Sequence, residues 1–111
     1  MSCLFCRIVN REIPGSIVYE DDRVLAFNDI NPQAPTHVLV VPKRHVETLN
    51  DLTPEDDGLV GELVRRAAAI ARERGLSAGG YRTVFNTNAD AGQSVFHLHL
   101  LGGRSMKWPP G

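Results

Sequence analysis

The sequence predicts an α+β domain on a mainly antiparallel sheet, and three observations carry that expectation. Short β-branched and aromatic runs lie in both halves of the chain, one long amphipathic helical pattern lies between them, and turn residues separate them all. At 111 residues the chain has the size of one domain, so residues 1–111 read as a single unit. A core of that size is thin, and dimerisation would bury further surface.

In chain order, residues 3–9 (Cys-Leu-Phe-Cys-Arg-Ile-Val) suit one or two helical turns, and Pro14-Gly15 marks a turn. Ile17-Val18-Tyr19 and Val24-Leu25-Ala26-Phe27 flank the polar residues 20–23, which predicts a hairpin. Asn31 to Pro35 is a loop, because each proline pushes its predecessor out of helical geometry. His37 to Val41 is an apolar strand stopped by Pro42. The helix starts at Thr53-Pro54-Glu55-Asp56, where a capping residue, a first-turn proline and two acids meet. Its apolar stripe is Leu59, Val60, Leu63, Val64, Ala67, Ala68 and Ala71, and Gly75 supplies the stop. Tyr81 to Phe85 is a strand, residues 87–93 are a polar loop, and Val95 to Leu101 is the last strand.

A formal net charge of -1 provides no electrostatic footprint for nucleic acid, so any nucleotide the chain binds would have to be gripped by a local pocket. No run approaches the ~20 apolar residues of a membrane span, and the first residues lack a secretory pattern, so the expected compartment is the cytoplasm. In a reducing compartment, Cys3-x-x-Cys6 points to metal or redox chemistry before a disulfide, or simply to two small packing residues.

The chemistry is concentrated in Gly92 to Arg104. Alternation in a strand puts His97 and His99 on one face and Phe96, Leu98 and Leu100 on the other. Two imidazoles one strand step apart can supply a nucleophile or base and a partner that fixes its tautomer. Gly92, Gln93 and Ser94 offer N–H groups and a hydroxyl suited to phosphate oxygens. The bland alternative is two solvent-facing histidines on an amphipathic strand.

At these residues the chain resembles the histidine-triad nucleotide-binding proteins, the branch that hydrolyses purine nucleoside phosphoramidates. The similarity runs nearly end to end, through Glu12-Ile13-Pro14, Ala26 to Ile30, Pro32 to His37, Pro42 to His45, Gly80-Tyr81-Arg82, Gly92 to Val95, Leu101 to Arg104 and Trp108 to Gly111. It implies a five-stranded antiparallel sheet with two helices, a two-fold homodimer, and a purine nucleotide or nucleoside phosphoramidate as ligand. Catalysis would fall to His99 and His97, with His37 orienting the nucleophile. The resemblance places Asp29 and Ile30 at the ribose, and Leu4, Phe5, Ile8 and Phe27 around the base. It adds Asn28, Asn86, Gly92, Gln93 and Ser94 to the nucleotide-binding set, with Asn86, Gly92 and Ser94 at the phosphate. Some bacterial relatives carry the cysteine pair in a structural zinc site, which maps to Cys3, Cys6, His45 and His97, a donor set that zinc accepts.

The chain departs from the family at the motif itself. The family pattern alternates three histidines with apolar residues, whereas this chain reads His97-Leu98-His99-Leu100-Leu101. Aligned from Gln93-Ser94, His99 is the nucleophile and Leu101 replaces the third histidine. Aligned from Gly102-Gly103, His97 is the nucleophile and His99 the third histidine. Loss of two residues preserves the alternation of faces but shifts one flank by about 6.6 Å. The first alignment is preferred, because Asn86, Gly92 and Ser94 keep their spacing to the histidines and Gly102-Gly103 can absorb the difference. The expected activity is P–N hydrolysis through a nucleotidyl-histidine intermediate. The alternatives are a nucleotide-binding module with impaired catalysis and a zinc-dependent scaffold with a vestigial pocket.

Overall fold

The computed structural model describes residues 16–93 and 96–109. Five strands form one sheet: β1 (Ile17–Glu20), β2 (Val24–Asn28), β3 (Thr36–Pro42), β4 (Tyr81–Phe85) and β5 (Leu98–Gly102). Their spatial order is β1-β2-β3-β5-β4, with every neighbouring pair antiparallel. The one long helix among the described residues is α1 (Asp57–Glu73). The expected sheet is therefore present. The first expected helix falls on residues 3–9, outside the described residues.

Local chemistry explains the elements. Between β1 and β2, Asp21 Oδ1 accepts from the Arg23 and Val24 amides at 2.8 Å each, and Oδ2 accepts from the Tyr19 hydroxyl at 2.7 Å. This side chain mimics a backbone turn, which lets Glu20 extend β1 and pair with Leu25. All seven residues of β3 are buried, as its unbroken apolar run implies, since strands flank it on both sides. Pro42 is the last residue of β3 rather than its stop, paired with Val24.

A 3₁₀ turn over Pro54–Asp56 leads into α1, with the Thr53 amide donating to Asp56 Oδ2 at 2.9 Å. Gly75 adopts φ +75° and lets the Leu76 amide reach back to the Ala71 carbonyl at 2.9 Å. The helix buries Leu59, Leu63, Ala67, Ile70 and Ala71 against Val24, Ala26, Val38, Val40, Leu98 and Leu100. Two details of the expected stripe change. Val64 is 46% exposed, and Ile70 takes its place, because the sheet meets a narrower arc of the helix than its apolar residues span.

The last strand starts three residues later than expected, at Leu98. Its partner β4 ends there too, since Leu98 pairs with Phe85, the last residue of β4, while on the other side it pairs with Val40 of the longer β3. Phe96 stays buried and stacks on Phe85 with ring centroids 5.5 Å apart, so the chain enters β5 on a fixed path. Among the described residues, no helix is long and apolar enough to cross a membrane.

Asp56 ties the helix start to the loop after β3 through Arg44. The Thr53 amide above all, with the Arg44 guanidinium adding to it, holds its carboxyl below the usual range. A depressed carboxyl contributes stability above its unfolded pKa and loses it as pH falls through the folded value. Asp56→Asn should therefore lower Tm near neutral pH, and the gap to the unmodified protein should close below about pH 4. Thermal melts across that range check this.

Candidate active site

The helix occupies one face of the sheet, and alternation sends His37, His97 and His99 to the other. His37 is the second residue of β3 and lies opposite Leu101 in the ladder, while His99 lies opposite Leu39. His37 and His99 therefore sit on a diagonal of one face, with ring centroids 5.1 Å apart. His97, one residue before β5, meets His99 edge to face at 4.2 Å. The face alternation expected for Phe96 to Leu100 is present, since Phe96, Leu98 and Leu100 join the core under the helix while His97 and His99 meet each other on the opposite face.

The three rings form a hydrogen-bonded row. His37 Nε2 lies 2.9 Å from His99 Nδ1, and His99 Nε2 lies 2.8 Å from His97 Nε2. Asp29 Oδ2 stands 3.4 Å from His37 Nε2, and Asp29 Oδ1 accepts from the Asn31 amide at 2.8 Å.

Hydrogen positions in such a row follow from whichever end is fixed. Here the fixed end is the Gln33 backbone amide, which donates to His37 Nδ1 at 3.1 Å. That nitrogen must carry a lone pair, so neutral His37 carries its hydrogen on Nε2. Donation to His99 Nδ1 places the His99 hydrogen on Nε2, and that hydrogen points at His97 Nε2. The reverse order would set two hydrogens against each other between His37 and His99. Burial holds both His37 and His99 below the usual histidine range, with the neighbouring His37 ring adding to the effect on His99 and Asp29 opposing both. Both rings are thus neutral at pH 7.

Asp29, His37 and His99 also offer three metal-donor atoms within 4.8 Å of one another. A cation on His37 Nε2 would need that nitrogen's lone pair while Nδ1 still accepts from Gln33, leaving the ring without any N–H. The Gln33 amide therefore opposes a metal there.

The other expected residues separate into groups. Phe27 is buried on the histidine face, paired with Leu39, and Ile30 is 98% exposed beside Asp29. Asn28 alternates to the helix side, where its Nδ2 donates to Ser16 Oγ at 3.0 Å and its Oδ1 accepts from Arg74 at 3.1 Å. Asn86 follows β4 and is half-buried. Gly92 closes a 3₁₀ turn over Ala89–Ala91 with φ +78°. Gln93 spans the loop, accepting from the Asn88 amide at 2.7 Å and donating to the Glu47 carbonyl at 2.5 Å. His45 is exposed just beyond β3. Cys3, Leu4, Phe5, Cys6, Ile8 and Ser94 lie outside the described residues. Sequence reasoning gave Gln33 no role of its own and overlooked the contact of Asp29 with His37. A main-chain donor leaves no residue-type signal, although the bracketing Pro32 and Pro35 mark a loop of restricted geometry.

Comparison with known proteins agrees with this architecture. A family model described as "Scavenger mRNA decapping enzyme C-term binding" matches residues 2–105. The purine nucleoside phosphoramidase of Escherichia coli (strain K12) is 48% identical over 105 residues, covering 93% of this chain and 88% of that protein. The crystal structure of a HIT family hydrolase from Legionella pneumophila Philadelphia 1 superposes with TM-score 0.97 at 54% identity, covering 99% of this chain and all (100%) of that one. A zinc-bound histidine triad family protein from Mycobacterium smegmatis superposes at 0.79 with 39% identity, over 93% of this chain and 76% of that one. With the sheet, the histidine face and these relatives in agreement, the chain belongs to the histidine-triad (HIT) family.

Proposed function

We propose that the protein hydrolyses purine nucleoside 5′-phosphoramidates at the P–N bond, with His97 as nucleophile and His99 as proton donor to the leaving amine. The observation that carries this reading is the hydrogen-bonded row with the Gln33 amide at its end, from which we infer a lone pair on His97 Nε2 and a hydrogen on His99 Nε2. In the first step His97 Nε2 attacks phosphorus, the P–N bond breaks, and the amine departs with the His99 Nε2 proton. In the second step water attacks phosphorus, its proton passes to His99 Nε2, and the bond to His97 breaks. Between the two steps His99 is an imidazolate, stabilised by the His37 N–H at its Nδ1 and offset by the positive charge that the bond to phosphorus puts on the His97 ring. The phosphoramidase relative supports the substrate class.

This assignment reverses the preference for His99 as nucleophile. It rests on the proton order and takes the alignment from Gly102-Gly103.

A nucleotide-binding module with slow chemistry is the second reading. It is favoured by the neutrality of His99, since a neutral imidazole is a weak acid, and by Leu101 standing opposite His37. Single-turnover labelling with a nucleoside phosphoramidate separates the readings. The expected result is an adduct on His97 by peptide mass spectrometry, while binding of AMP without any adduct would leave only the module.

Cys3, Cys6 and His45 are donors that zinc accepts, but His97 does not fit as the fourth while its Nε2 accepts from His99. Coordination through Nδ1 would put a hydrogen on Nε2 and reverse the row, so zinc at His97 goes with attack by His99. Labelling of His97 should accordingly survive Cys3→Ser and chelation. An adduct on His99 together with stoichiometric zinc, lost in Cys3→Ser, would restore the other assignment.

The reading also carries a homodimer, in which Trp108, 82% exposed, gives a partner subunit an aromatic contact. Sedimentation at micromolar concentration should give twice the 12.2 kDa chain mass, and a stable monomer would contradict it.

A further inference from the structure

We propose that Arg104, far along the chain from the loop it holds, is a positioning residue that sets the direction of the proton row through the Gln33 peptide. Its guanidinium makes two hydrogen bonds to the Gln33 carbonyl, from Nε at 3.2 Å and Nη2 at 3.1 Å, and a third from Nη1 to the Ser105 carbonyl at 3.0 Å. Gln33 is thus gripped from both sides, since its carbonyl accepts from Arg104 while its amide donates to His37 Nδ1. One Cα joins the two peptide planes, so fixing the carbonyl plane restricts where the N–H can point.

The approach of Arg104 is itself constrained. Gly103 takes φ +90°, and its backbone passes so close to Pro35 that a Cβ would lie 2.8 Å from that ring. The loop is braced internally as well. Gln33 Nε2 donates to the Asn31 carbonyl at 3.0 Å, and the Asp29 amide donates to the His37 carbonyl at 2.9 Å. Against this braced loop, the Arg104 fork adds hydrogen bonds that tie the loop to the segment after β5, the strand that bears His99. A rigid two-point grip of this kind suits arginine and not lysine. Because Arg104 is exposed, its removal leaves no buried orphan and the fold should survive.

The expected consequence is loss of tautomer control. Without the grip, the Gln33 amide no longer holds His37 Nδ1 unprotonated. His37 then samples both tautomers, and in the wrong one it presents a lone pair to His99 Nδ1. His99 takes its hydrogen on Nδ1 in response and loses the one that the proposed hydrolysis uses, so the effect on rate rests on that reading.

The test compares the unmodified protein with Arg104→Met and Arg104→Lys. Nitrogen-15 NMR of the ligand-free proteins should find His37 as the pure Nε2–H tautomer in the unmodified protein. Arg104→Met should give a mixture, and Arg104→Lys an intermediate result. With a nucleoside phosphoramidate, Arg104→Met should lower kcat by roughly 10- to 100-fold, with KM and Tm nearly unchanged. A His37 tautomer in Arg104→Met identical to the unmodified one would overturn the proposal, as would a loss confined to KM or Tm. If the unmodified protein turns over no phosphoramidate, the proposed reaction fails, and the NMR comparison still decides the role of Arg104.

Discussion

A single backbone hydrogen bond, from the Gln33 amide to His37 Nδ1, sets the chemistry of the whole face. Imidazoles are ambiguous groups, since each neutral ring can carry its hydrogen on either nitrogen. A row of three that touch one another would have two orders of hydrogens. A main-chain amide cannot accept, so placing one at the end of the row removes one of those orders. Everything downstream follows: which nitrogen of His99 carries a hydrogen, which nitrogen of His97 has a lone pair, and why a cation is disfavoured between Asp29, His37 and His99.

The sheet supports this bond by geometry. Neighbouring strands β3 and β5 give His37 and His99 a fixed diagonal, and the helix packed on the opposite face holds the two strands in register through Val38, Val40, Leu98 and Leu100. The histidine face is semi-buried, which keeps His37 and His99 neutral and lets hydrogen bonds rather than solvation decide the tautomers. The loop from Asp29 to His37 is braced by its own side chains, with Asp29 accepting from the Asn31 amide and Gln33 donating to the Asn31 carbonyl, so the donor that orders the row sits in a constrained turn.

Much of this was legible in the sequence, and the reasons differ by element. The hairpin, β4 and the helix have strong local signals in the Asp21 turn, the β-branched run and the capped amphipathic stripe. The shared face of His97 and His99 follows from strand periodicity alone. Tertiary packing decided what remained. Val64 fits the helical stripe by sequence but falls outside the arc the sheet covers, whereas Ile70 falls inside it. The start of β5 coincides with the end of its partner β4 at Phe85, which no property of Val95 to His97 encodes. Asn28 lies next to Asp29 in sequence, yet strand alternation carries it to the helix side, where Ser16 and Arg74 bind it. The controlling donor was invisible because it is a backbone group, and Arg104 because its partner lies 71 residues away.

Neutron diffraction on crystals of the ligand-free protein locates the hydrogens of the row and so decides its direction. Deuterium should lie on Nε2 of His37, on Nε2 of His99 and on Nδ1 of His97, with none on His37 Nδ1. Deuterium on His37 Nδ1, or on His99 Nδ1, would contradict it and return the assignment of the nucleophile to His99.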